Sequence, residues 1–483
     1  MKRLLVTIIA MLTIIGMAAR GAKVKFPGSK TYIYRYTLVD KAASHHTLDK
    51  PQRFLSRKSI ERRQRQHLAV DSTDLPVPRH YVKQFAMSGT QVLGTSRWMN
   101  TVLVRSTDTL LLQQLGELPM VRSWQCVYAA PDSIDKQDKI RWNVHENFNR
   151  WDSVRNDPYG MARDQIEMLG GVRMHEAGFT GRGMTIAIID GGFQNYNRIP
   201  ALSHARIIGA RDFVDHEGER DVDGAIVSDA FHRMDHGTKV FSAMAARAPE
   251  VTMGTAPDAS YWLLRSEEHA TEQPVEEDYW VMAAEYADSV GADIINSSLG
   301  YYDYDEGRGS YRLRDLDGQT AFVSRAASML AGKGIVLCNS AGNSGMGQWK
   351  KIGVPADARN ILTVGAIDAE RKIAAFSSVG PSQDGRVKPD VVARGSNTTL
   401  ISGRGTLVHD MGTSFSTPLI CGMVACLWQA LPDKTASEIM EIVRQSGDLY
   451  DAPNNIFGYG LPDFWKAYMK ASQKVEASPS PSK

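Results

Sequence analysis

An apolar run that ends in an aspartate and two glycines constrains the fold of this chain more than any other feature. Residues Met184–Ile189 are almost all apolar, and Asp190, Gly191 and Gly192 follow directly. Such a run is typical of a parallel β-strand that is buried on both faces of a sheet. Ligand sites in α/β sheets lie beyond the carboxyl ends of the strands. The sequence therefore predicts an α/β fold, with Asp190 at the edge of the sheet where binding sites form.

Two later segments contain a histidine and a serine that could act together with Asp190 in catalysis. His236 lies in the sequence Asp-His-Gly-Thr, and Ser414 lies in the sequence Gly-Thr-Ser-Phe-Ser-Thr-Pro. A serine hydroxyl is a weak nucleophile at neutral pH, so it needs an imidazole to take its proton and a carboxylate to orient that imidazole. We therefore interpret Asp190, His236 and Ser414 as the acid, base and nucleophile of a serine hydrolase. We expect Asp190 within hydrogen-bond reach of one imidazole nitrogen of His236, with Ser414 near the other.

The surroundings of the histidine and the serine predict two helices. His236 precedes a segment rich in small residues, Ser242–Ala246, which would let a helix lie close against the sheet. Ser414 precedes Pro418 and the apolar stretch Leu419–Leu427. This order predicts a helix whose first turn contains both Ser414 and Pro418, because a proline is tolerated where backbone donors lack a helical partner.

A fourth segment predicts a site for the negative charge that forms during acyl transfer. The short apolar strand Ile335–Leu337 leads into a glycine-containing loop, Asn339–Gly345. The side-chain amide of Asn343 in this loop can donate a hydrogen bond to the oxyanion of a tetrahedral intermediate, and the backbone N–H of Ser414 can be the second donor.

Residues from about 156 to 470 resemble the subtilases, a family of serine proteases whose catalytic residues follow the order aspartate, histidine, serine. The resemblance rests on short motifs that occur in the family's order. These are Pro158–Gly160, Gln165–Ile166, Gly178–Asp190, Asp235–Thr238, Gly254–Pro257, Ile295–Gly300, Ser340–Gly345, Val354–Ala356, Phe376–Ser378, Lys388–Asp390 and Gly412–Pro418. The chain departs from the family at Lys239, where a second histidine is common, and at Phe415 and Ser416. Neither departure removes a catalytic group.

This resemblance implies a subtilisin-like three-layer α/β/α domain with a mostly parallel central sheet. It implies a serine endopeptidase that hydrolyses peptide bonds through an acyl-enzyme and requires no cofactor for catalysis. It also implies a substrate cleft between two chain segments. The corresponding residues are Ser298, Leu299 and Gly300 on one edge and Ser340, Ala341 and Gly342 on the other. The segment Tyr301–Gln319 matches no motif, so the resemblance does not predict the shape of the cleft or the cleavage preference.

The sequence leaves other interpretations to weigh. Taken singly, Asp190 could be a turn former, His236 a buried histidine and Asn343 a turn asparagine, but their order and contexts together favour catalysis. A catalytically inactive, subtilase-like binding module normally lacks a triad or oxyanion residue, and none is missing here. An esterase of the α/β-hydrolase type would carry a Gly-x-Ser-x-Gly motif, which the residues around Ser414 do not form.

The first residues have the pattern of an export signal. Met1–Arg3 is mostly basic, Leu4–Met17 is largely apolar and small residues follow, as in the three regions of a signal peptide. The apolar run is shorter than the roughly 20 residues of a membrane span, and we expect no membrane-spanning segment after signal removal. We therefore predict a signal peptide at 1–22 and an exported protein that is periplasmic, at the cell surface or extracellular. The net charge of +2 gives no reason to expect a nucleic-acid partner.

Residues 23–131 predict a small α+β domain ahead of the catalytic region. Aromatic and β-branched residues alternate over Thr31–Val39, as in a strand, and Phe54–Leu68 has helical spacing with a heavily basic outer face. A domain of this kind directly before a subtilase-like region resembles the family's propeptide, which assists folding and then occupies the cleft as an inhibitor. The basic helix would also fit nucleic-acid binding, but charge runs are usually solvated faces. The other predicted boundaries are a polar linker at 132–155, a catalytic domain at 156–472 and a disordered tail at 473–483.

The cysteines and one acidic stretch give weaker signals. Cys421 and Cys426 are not spaced to lie on one helical face, so a bridge between them is not expected, while a pairing of either with Cys338 stays open. No Cys/His spacing indicates zinc. The acidic stretch Asp212–Asp223 could supply several of the about six to eight oxygen ligands of a structural calcium ion, or it is a solvated insertion beside the active site.

Overall fold

The computed structural model describes residues 23–25, 30–42, 44–131, 133–135, 155–214 and 234–476. The predicted signal peptide at 1–22 and nearly all of the predicted linker at 132–155 lie outside these residues. The strands are β1 (Lys23–Lys25), β2 (Tyr32–Leu38), β3 (Gln91–Ser96), β4 (Thr101–Ser106), β5 (Val121–Ala129), β6 (Ser133–Asp135), β7 (Thr185–Asp190), β8 (Arg206–Asp212), β9 (Arg247–Ala248), β10 (Thr252–Met253), β11 (Ser260–Arg265), β12 (Ile294–Ser297), β13 (Val336–Ser340), β14 (Leu362–Ile367), β15 (Val391–Arg394), β16 (Thr398–Ile401) and β17 (Leu407–Asp410). The α-helices are α1 (Arg57–Arg65), α2 (Arg79–Phe85), α3 (Thr109–Gly116), α4 (Arg163–Glu167), α5 (Gly171–Glu176), α6 (His236–Ala245), α7 (Val275–Val290), α8 (Phe322–Met329), α9 (Thr413–Ala430), α10 (Ala436–Gln445) and α11 (Phe464–Glu476).

A seven-stranded parallel sheet forms the centre of the larger domain. Its strands lie in the order β15-β14-β13-β12-β7-β11-β8, and every neighbouring pair is parallel. The strand with the apolar run, β7, lies between β12 and β11, so the chain crosses from one side of β7 to the other when it passes from β11 to β12. Binding sites form at such a switch point, beyond the carboxyl ends of the strands. Asp190, the last residue of β7, lies at this edge.

Helices cover both faces of this sheet. Ile186 and Ile188 of β7 pack into a core that includes side chains of α6 and α9, whereas Ala187 and Ile189 pack into a second core with side chains of α7 and α8. All four side chains are fully buried, which explains why β7 is apolar without alternation. The predicted three-layer α/β/α fold with a mostly parallel sheet is confirmed.

A smaller N-terminal domain packs on the α7 side of the larger one. Its antiparallel sheet has four strands in the order β3-β4-β2-β5. Ile33, Leu103 and Val127 of this sheet belong to the same core as α7 and α8. Tyr36 and Phe85 belong to a separate core within the small domain. The small α+β domain predicted ahead of the catalytic region is therefore present, with one face of its sheet buried against the larger domain.

The basic helix α1 differs from its prediction. The sequence predicted a solvated basic face, but Arg62 and Arg63 are each only 1% exposed. Both guanidinium groups bind the carboxylate of Asp288 in α7, at 2.9 Å from Arg63 Nη2 to Asp288 Oδ2. Local sequence patterns could not reveal this contact, because Asp288 lies 225 residues beyond Arg63. Arg62 and Arg63 therefore hold the two domains together, whereas Arg57 and Arg65 of the same helix are exposed as the sequence predicted.

The position of Pro418 also differs from its prediction. Helix α9 begins at Thr413, so Pro418 lies in its second turn rather than its first. A proline inside a helix has no N–H to donate to the carbonyl group four residues earlier, which here belongs to Ser414. That carbonyl oxygen accepts a hydrogen bond from Ser298 Oγ at 2.9 Å. Ser298 thus satisfies the acceptor that the proline leaves without a helical donor.

The C-terminal helix is longer than the sequence predicted, and the cysteines are unpaired. Helix α11 runs to Glu476 and so extends into the segment 473–483, which the sequence predicted to be disordered; residues 477–483 lie outside the described ones. All four cysteines are free thiols, so the pairing with Cys338 that the sequence left open does not form. Within the described ranges, no helix combines the length and the apolar composition needed to cross a bilayer.

Candidate active site

Asp190 and His236 meet at the carboxyl edge of the parallel sheet. Asp190 ends β7 and is fully buried, and His236 is the first residue of α6. Oδ1 of Asp190 lies 2.8 Å from Nδ1 of His236, and Oδ2 lies 3.0 Å from the same nitrogen. The N–H of Gly191 donates to Oδ1 at 2.8 Å and helps to hold the carboxylate in place. The carboxylate therefore favours the neutral imidazole tautomer with its proton on Nδ1, in which Nε2 is the basic atom.

The same carboxylate shifts the protonation equilibrium of the imidazole. Burial disfavours the imidazolium ion, but the negative charge of Asp190 outweighs burial and raises the pKa of His236 above its ordinary value. The ammonium group of Lys239 acts in the opposite direction, and it is held by Asp410 at 3.0 Å. The charge of Asp190 therefore stabilises the protonated form that His236 takes when it acts as a general base.

Ser414 lies in the first turn of α9, where its backbone N–H has no acceptor within the helix. Its Oγ donates to the carbonyl oxygen of Ser298 at 3.2 Å. The hydrogen bonds of the described residues thus join Ser414 to Ser298 and not to His236, unlike the arrangement expected from the sequence. The two residues still line one cleft, and the ring of Phe415, next to Ser414, is centred 5.6 Å from the imidazole ring. Catalytic hydrogen bonds are often long in the absence of substrate, so this geometry is compatible with the predicted pair.

The side-chain amide of Asn343 is oriented by Thr413. Oδ1 of Asn343 accepts hydrogen bonds from Thr413 N at 2.9 Å and from Thr413 Oγ1 at 3.0 Å. Because the oxygen is held on the side of α9, the Nδ2 donor is directed away from Thr413. Nδ2 and the backbone N–H of Ser414 are the kind of donors that an oxyanion site needs.

All the site residues predicted from the sequence line one cleft, which has a volume of about 610 Å³. They are Asp190, His236, Asn343 and Ser414, together with Ser298, Leu299, Gly300, Ser340, Ala341 and Gly342. The carbonyl oxygen of Leu299 accepts hydrogen bonds from Asn339 Nδ2 at 3.2 Å and from Ser340 Oγ at 3.3 Å, which ties the two predicted edges together. Gly300 is exposed, so its backbone is accessible to an extended peptide.

One end of this cleft is lined by residues that the sequence motifs did not indicate. Further lining residues come from the loop between β11 and α7 and from the segment that matched no motif. They are Glu267, Glu268, His269, Ala270, Thr271 and Glu272 from the loop, and Tyr302 and Asp305 from the segment. The sequence pattern could have indicated these residues. Strand β11 is largely apolar, and two acidic residues follow its end almost directly, as Asp190 follows the apolar run of β7. Strand β11 is the parallel neighbour of β7, with Arg265 level with Asp190, so its loop must lie beside the catalytic aspartate candidate.

Only one acidic residue of the stretch 212–223, the predicted source of calcium ligands, lies among the described residues. This residue is Asp212, and its Oδ2 is bound by Arg265 Nη1 at 2.7 Å. A carboxylate that neutralises a buried guanidinium is poorly suited to bind a cation as well. The other acidic residues of the stretch, Asp215, Glu217, Glu219, Asp221 and Asp223, lie outside the described residues.

The N-terminal domain reaches the rim of the cleft. Ala129, the last residue of β5, donates its N–H to Gln273 Oε1 at 2.9 Å, and its carbonyl oxygen accepts from Gln273 Nε2 at 3.1 Å. Gln273 directly follows the cleft-lining residues Thr271 and Glu272. The end of the small domain is therefore anchored beside the cleft, at the point where the chain continues toward the catalytic domain.

Comparison with known families supports the resemblance seen in the motifs. The profile of the subtilase family, peptidase S8, matches residues 181–460, more than half of the chain. The profile of the S8 propeptide domain of Bacteroidota matches residues 34–143, which include most of the N-terminal domain.

Individual relatives are similar at modest identity. Serine protease AprX of Bacillus subtilis (strain 168) is 28% identical over 311 residues, which cover 58% of this chain and 65% of that protein. Subtilisin NAT of Bacillus subtilis subsp. natto is 27% identical over 379 residues, covering 76% of this chain and 87% of that protein. Subtilisin-like protease SBT6.1 of Arabidopsis thaliana is 29% identical over 301 residues, covering 60% of this chain and 25% of that protein.

Proposed function

This chain belongs to the subtilase family, and we propose that it is a serine endopeptidase made as an inactive precursor. The observation that carries the proposal is the hydrogen bond of 2.8 Å between Asp190 and His236, in the same cleft as Ser414 and Asn343. In this proposal Ser414 is the nucleophile, His236 the general base, Asp190 the group that orients His236, and Asn343 an oxyanion donor.

The proposed reaction begins with proton transfer from Ser414 Oγ to His236 Nε2 as the oxygen attacks the carbonyl carbon of the peptide bond. Asp190 keeps the proton on Nδ1 and its charge stabilises the imidazolium that forms. His236 then gives its proton to the leaving amine, which leaves an acyl group on Ser414. A water molecule, deprotonated by His236, hydrolyses this ester. To begin the cycle, the Ser414 hydroxyl must rotate from the carbonyl oxygen of Ser298 toward His236.

Two donors are proposed to hold the oxyanion of the tetrahedral intermediate. They are Nδ2 of Asn343, which Thr413 orients through Oδ1, and the backbone N–H of Ser414 at the start of α9. Donors held in place before the reaction stabilise the transition state more than mobile water does. Removing one such donor typically lowers kcat by about a hundred- to thousand-fold.

The peptide substrate is proposed to lie between Ser298–Gly300 and Ser340–Gly342. An extended peptide can bind by adding a strand to an exposed edge, with backbone hydrogen bonds supplying affinity. The N-terminal domain is proposed to inhibit this site until it is removed. Its support is the match to a propeptide profile and the pair of hydrogen bonds from Ala129 to Gln273 at the rim of the cleft.

An inactive binding module is the alternative that deserves a direct test. Such a protein would keep the fold and lose chemistry, so it predicts no reaction at Ser414. We expect a serine-directed fluorophosphonate to label the mature enzyme at Ser414 and casein to be hydrolysed. The Ser414→Ala variant should lose labelling and about a millionfold in kcat, the scale found when a triad nucleophile is removed. The exposed Ser203 supplies the control, since Ser203→Ala should keep both. A wild-type protein that is folded but unlabelled would support the binding module.

Export and independence from cofactors are further parts of the proposal. The signal-like residues 1–22 should be absent from the protein recovered outside the cytoplasm, as N-terminal sequencing would show. The proposed chemistry uses only side chains of the chain, so hydrolysis should persist in a chelator. If residues 212–223 bind a structural calcium ion, added calcium should raise the thermal midpoint by mass action. An unchanged midpoint with and without chelator would remove calcium from the proposal.

A further inference from the structure

The end of the cleft beyond Asp190 carries an unusual density of carboxylates. We call the group of Glu267, Glu268, Glu272 and Asp305 the acidic end of the cleft; all four residues line it. A methyl group built on Gly191 would lie only 3.5 Å from the Cβ atom of Glu267, so this end lies directly beside the triad. The backbone N–H of Glu272 donates to Asp305 Oδ2 at 3.0 Å, which joins the two loops that carry the group.

These carboxylates form no salt bridge with a lysine or arginine of the described part of the chain. None of the ion pairs formed there includes Glu267, Glu268, Glu272 or Asp305. Their contacts are with neutral donors. Glu267 Oε1 accepts from the Tyr301 hydroxyl at 2.6 Å, and Glu268 Oε1 accepts from a backbone N–H at 3.0 Å. Among the described residues, no salt bridge from a lysine or arginine therefore supplies a cation to the carboxyl groups of the acidic end.

A second observation points to a ligand at the same place. Thr271 is 8% exposed and lines the cleft between Glu268 and Glu272, yet its hydroxyl has no hydrogen-bond partner among the described residues. Glu276, in the first turn of α7, accepts a hydrogen bond from the N–H of Glu268 through Oε1 at 2.8 Å, while its buried Oε2 has no partner among the described residues. A buried polar atom left without a partner costs about 1–3 kcal/mol, so such atoms commonly mark a place that a ligand or water completes.

The protonation of the acidic end agrees with a missing cation. Removal from water raises the pKa of Glu267 to about 8, with the nearby Glu272 and Asp190 adding to the effect. Partial burial at the rim of the cleft, together with the charge of Asp305, raises the pKa of Glu272 to about 7. These carboxyl groups hold protons near neutral pH because they cannot all be charged at once. A bound cation would take the place of those protons.

The arrangement fits an organic cation better than a metal ion. A bound metal needs several ligands that converge on one point, and no group of three or more candidate ligands does so within the described ranges. A lysine or arginine side chain instead reaches along a surface and pairs with carboxylates in turn, with its stem against apolar atoms. The exposed carboxylates here, Glu272 and Asp305, lie on opposite loops, as such a side chain requires.

We propose that the acidic end of the cleft binds a lysine or arginine side chain of the substrate, so that this enzyme prefers basic peptide sequences. This proposal rests on the proposed function, since it assumes that a peptide lies in the cleft. Glu272 and Asp305 pair with the cation at the rim, Glu267 and Glu268 add negative potential behind them, and the Thr271 hydroxyl accepts a hydrogen bond from the bound group.

The test uses matched peptides and the mature enzyme. A peptide that the enzyme cleaves in casein serves as parent, and each position from P6 to P3′ is replaced in turn by lysine or by norleucine, which has the same carbon chain without the amine. At one or more positions kcat/KM for lysine should exceed that for norleucine by about tenfold, which corresponds to 1.36 kcal/mol. Addition of calcium with and without chelator should leave this ratio unchanged; a ratio that calcium abolishes would overturn the proposal in favour of a metal site.

Charge-changing variants connect the preference to the residues. At the same position, Glu272→Gln and Asp305→Asn should each reduce the ratio about threefold or more, and Glu272→Lys should give a preference for glutamate over norleucine. Glu176→Gln is the control, because Glu176 is an exposed acid outside the cleft. Equal cleavage of all lysine and norleucine peptides by a wild-type enzyme that fluorophosphonate labels would overturn the preference and leave the proposed function intact. A folded wild-type protein that cleaves no peptide and is not labelled would overturn both proposals.

Discussion

Helix α7 borders two groups of carboxylates that the chain treats in opposite ways. The carboxylates that face the N-terminal domain are paired with arginine side chains. Arg35 Nε binds Asp278 at 2.7 Å, and Arg97 Nη2 binds Asp288 at 2.7 Å alongside Arg62 and Arg63. The acidic end of the cleft, by contrast, has no such cation among the described residues.

The difference shows how this protein separates structural charge from functional charge. Burial would raise the pKa of Asp288, but three guanidinium groups outweigh burial and hold it at about 2. An ionised carboxylate can be tolerated in a dry interface only with such compensation. At the cleft no salt bridge among the described residues gives such compensation, and the pKa values of Glu267 and Glu272 are raised. The first group therefore holds two domains together, and the second is available to something that enters from outside.

The largest expected effect is the loss of stability on removing Asp288, the carboxylate that the three arginines of the N-terminal domain share. Asp288→Ala leaves Arg62, Arg63 and Arg97 without their shared counter-charge, and removing one partner of a buried pair typically costs about 3–5 kcal/mol. We expect a loss of this size in urea unfolding of the full-length chain, measured in a Ser414→Ala background that cannot process itself.

The matched control for this experiment is Glu176→Ala in the same background, which should stay within about 0.5 kcal/mol because Glu176 is exposed. A loss below about 1 kcal/mol for Asp288→Ala would show that the three arginines find other partners and that the interface does not depend on this carboxylate.

A change of pH should separate the two groups. Because the pKa values of Glu267 and Glu272 are about 8 and about 7, these residues gain charge as the pH rises from 6 to 9, and the preference for lysine over norleucine should grow by up to about tenfold. Titration of His236 changes the cleavage of both peptides alike and cancels in the ratio. A ratio that falls as the pH rises would contradict the assignment.

Over the same pH range the domain interface should not respond through Asp288. Its folded-state pKa of about 2 is lower than its ordinary value of 3.8, so the stability that it contributes is present above about pH 4 and is lost as the pH falls toward 2. In the Ser414→Ala background, Asp288→Ala should lower the urea midpoint by the same amount at pH 5 and at pH 8. Unequal effects at the two pH values would weaken this account.

The smallest expected difference is the response to salt. The rim carboxylates of Glu272 and Asp305 are exposed, so raising NaCl from about 0.05 to 0.5 M should reduce the lysine preference by about threefold. The pair of Arg62 and Asp288 is almost fully buried and should be screened much less. The lysine-to-norleucine ratio and the urea midpoint would each be measured over this range of NaCl concentration. If both changed equally with salt, the two groups of carboxylates would not differ in the way proposed.

The sequence was most informative where a residue's role depends on its immediate neighbours. Asp190 follows a strand that must be buried, and Asn343 lies in a loop that must turn after another strand. Short motifs therefore predicted the parallel sheet and the residues that line the cleft. The subtilase family was also correctly identified from them.

The sequence was least informative where a residue's environment depends on a distant segment. Arg62 and Arg63 belong to a helix with a basic face, and contacts with Asp288 and other segments of the chain bury them. The sequence placed Pro418 in the first turn of α9 instead of the second, because it could not show that Ser298, which follows β12, donates to the carbonyl group that the proline leaves without a helical donor. The acidic end of the cleft joins Glu272 to Asp305 across two loops, one of which matched no motif.

Helix α7 also limits how this enzyme can diverge. It has 16 residues and is about 24 Å long. Acids in its first turn hold the cleft loops: Glu276 binds the backbone of Glu268, and Glu277 binds the Tyr304 hydroxyl, both at 2.8 Å. The same helix holds the N-terminal domain, through Asp278 in its first turn and through Glu285 and Asp288 in its later turns. A helix that slid or tilted to suit a new substrate would also displace the side chains that hold this domain. The two surfaces must therefore change together, and an N-terminal domain borrowed from a relative would need to match the helix along its whole length.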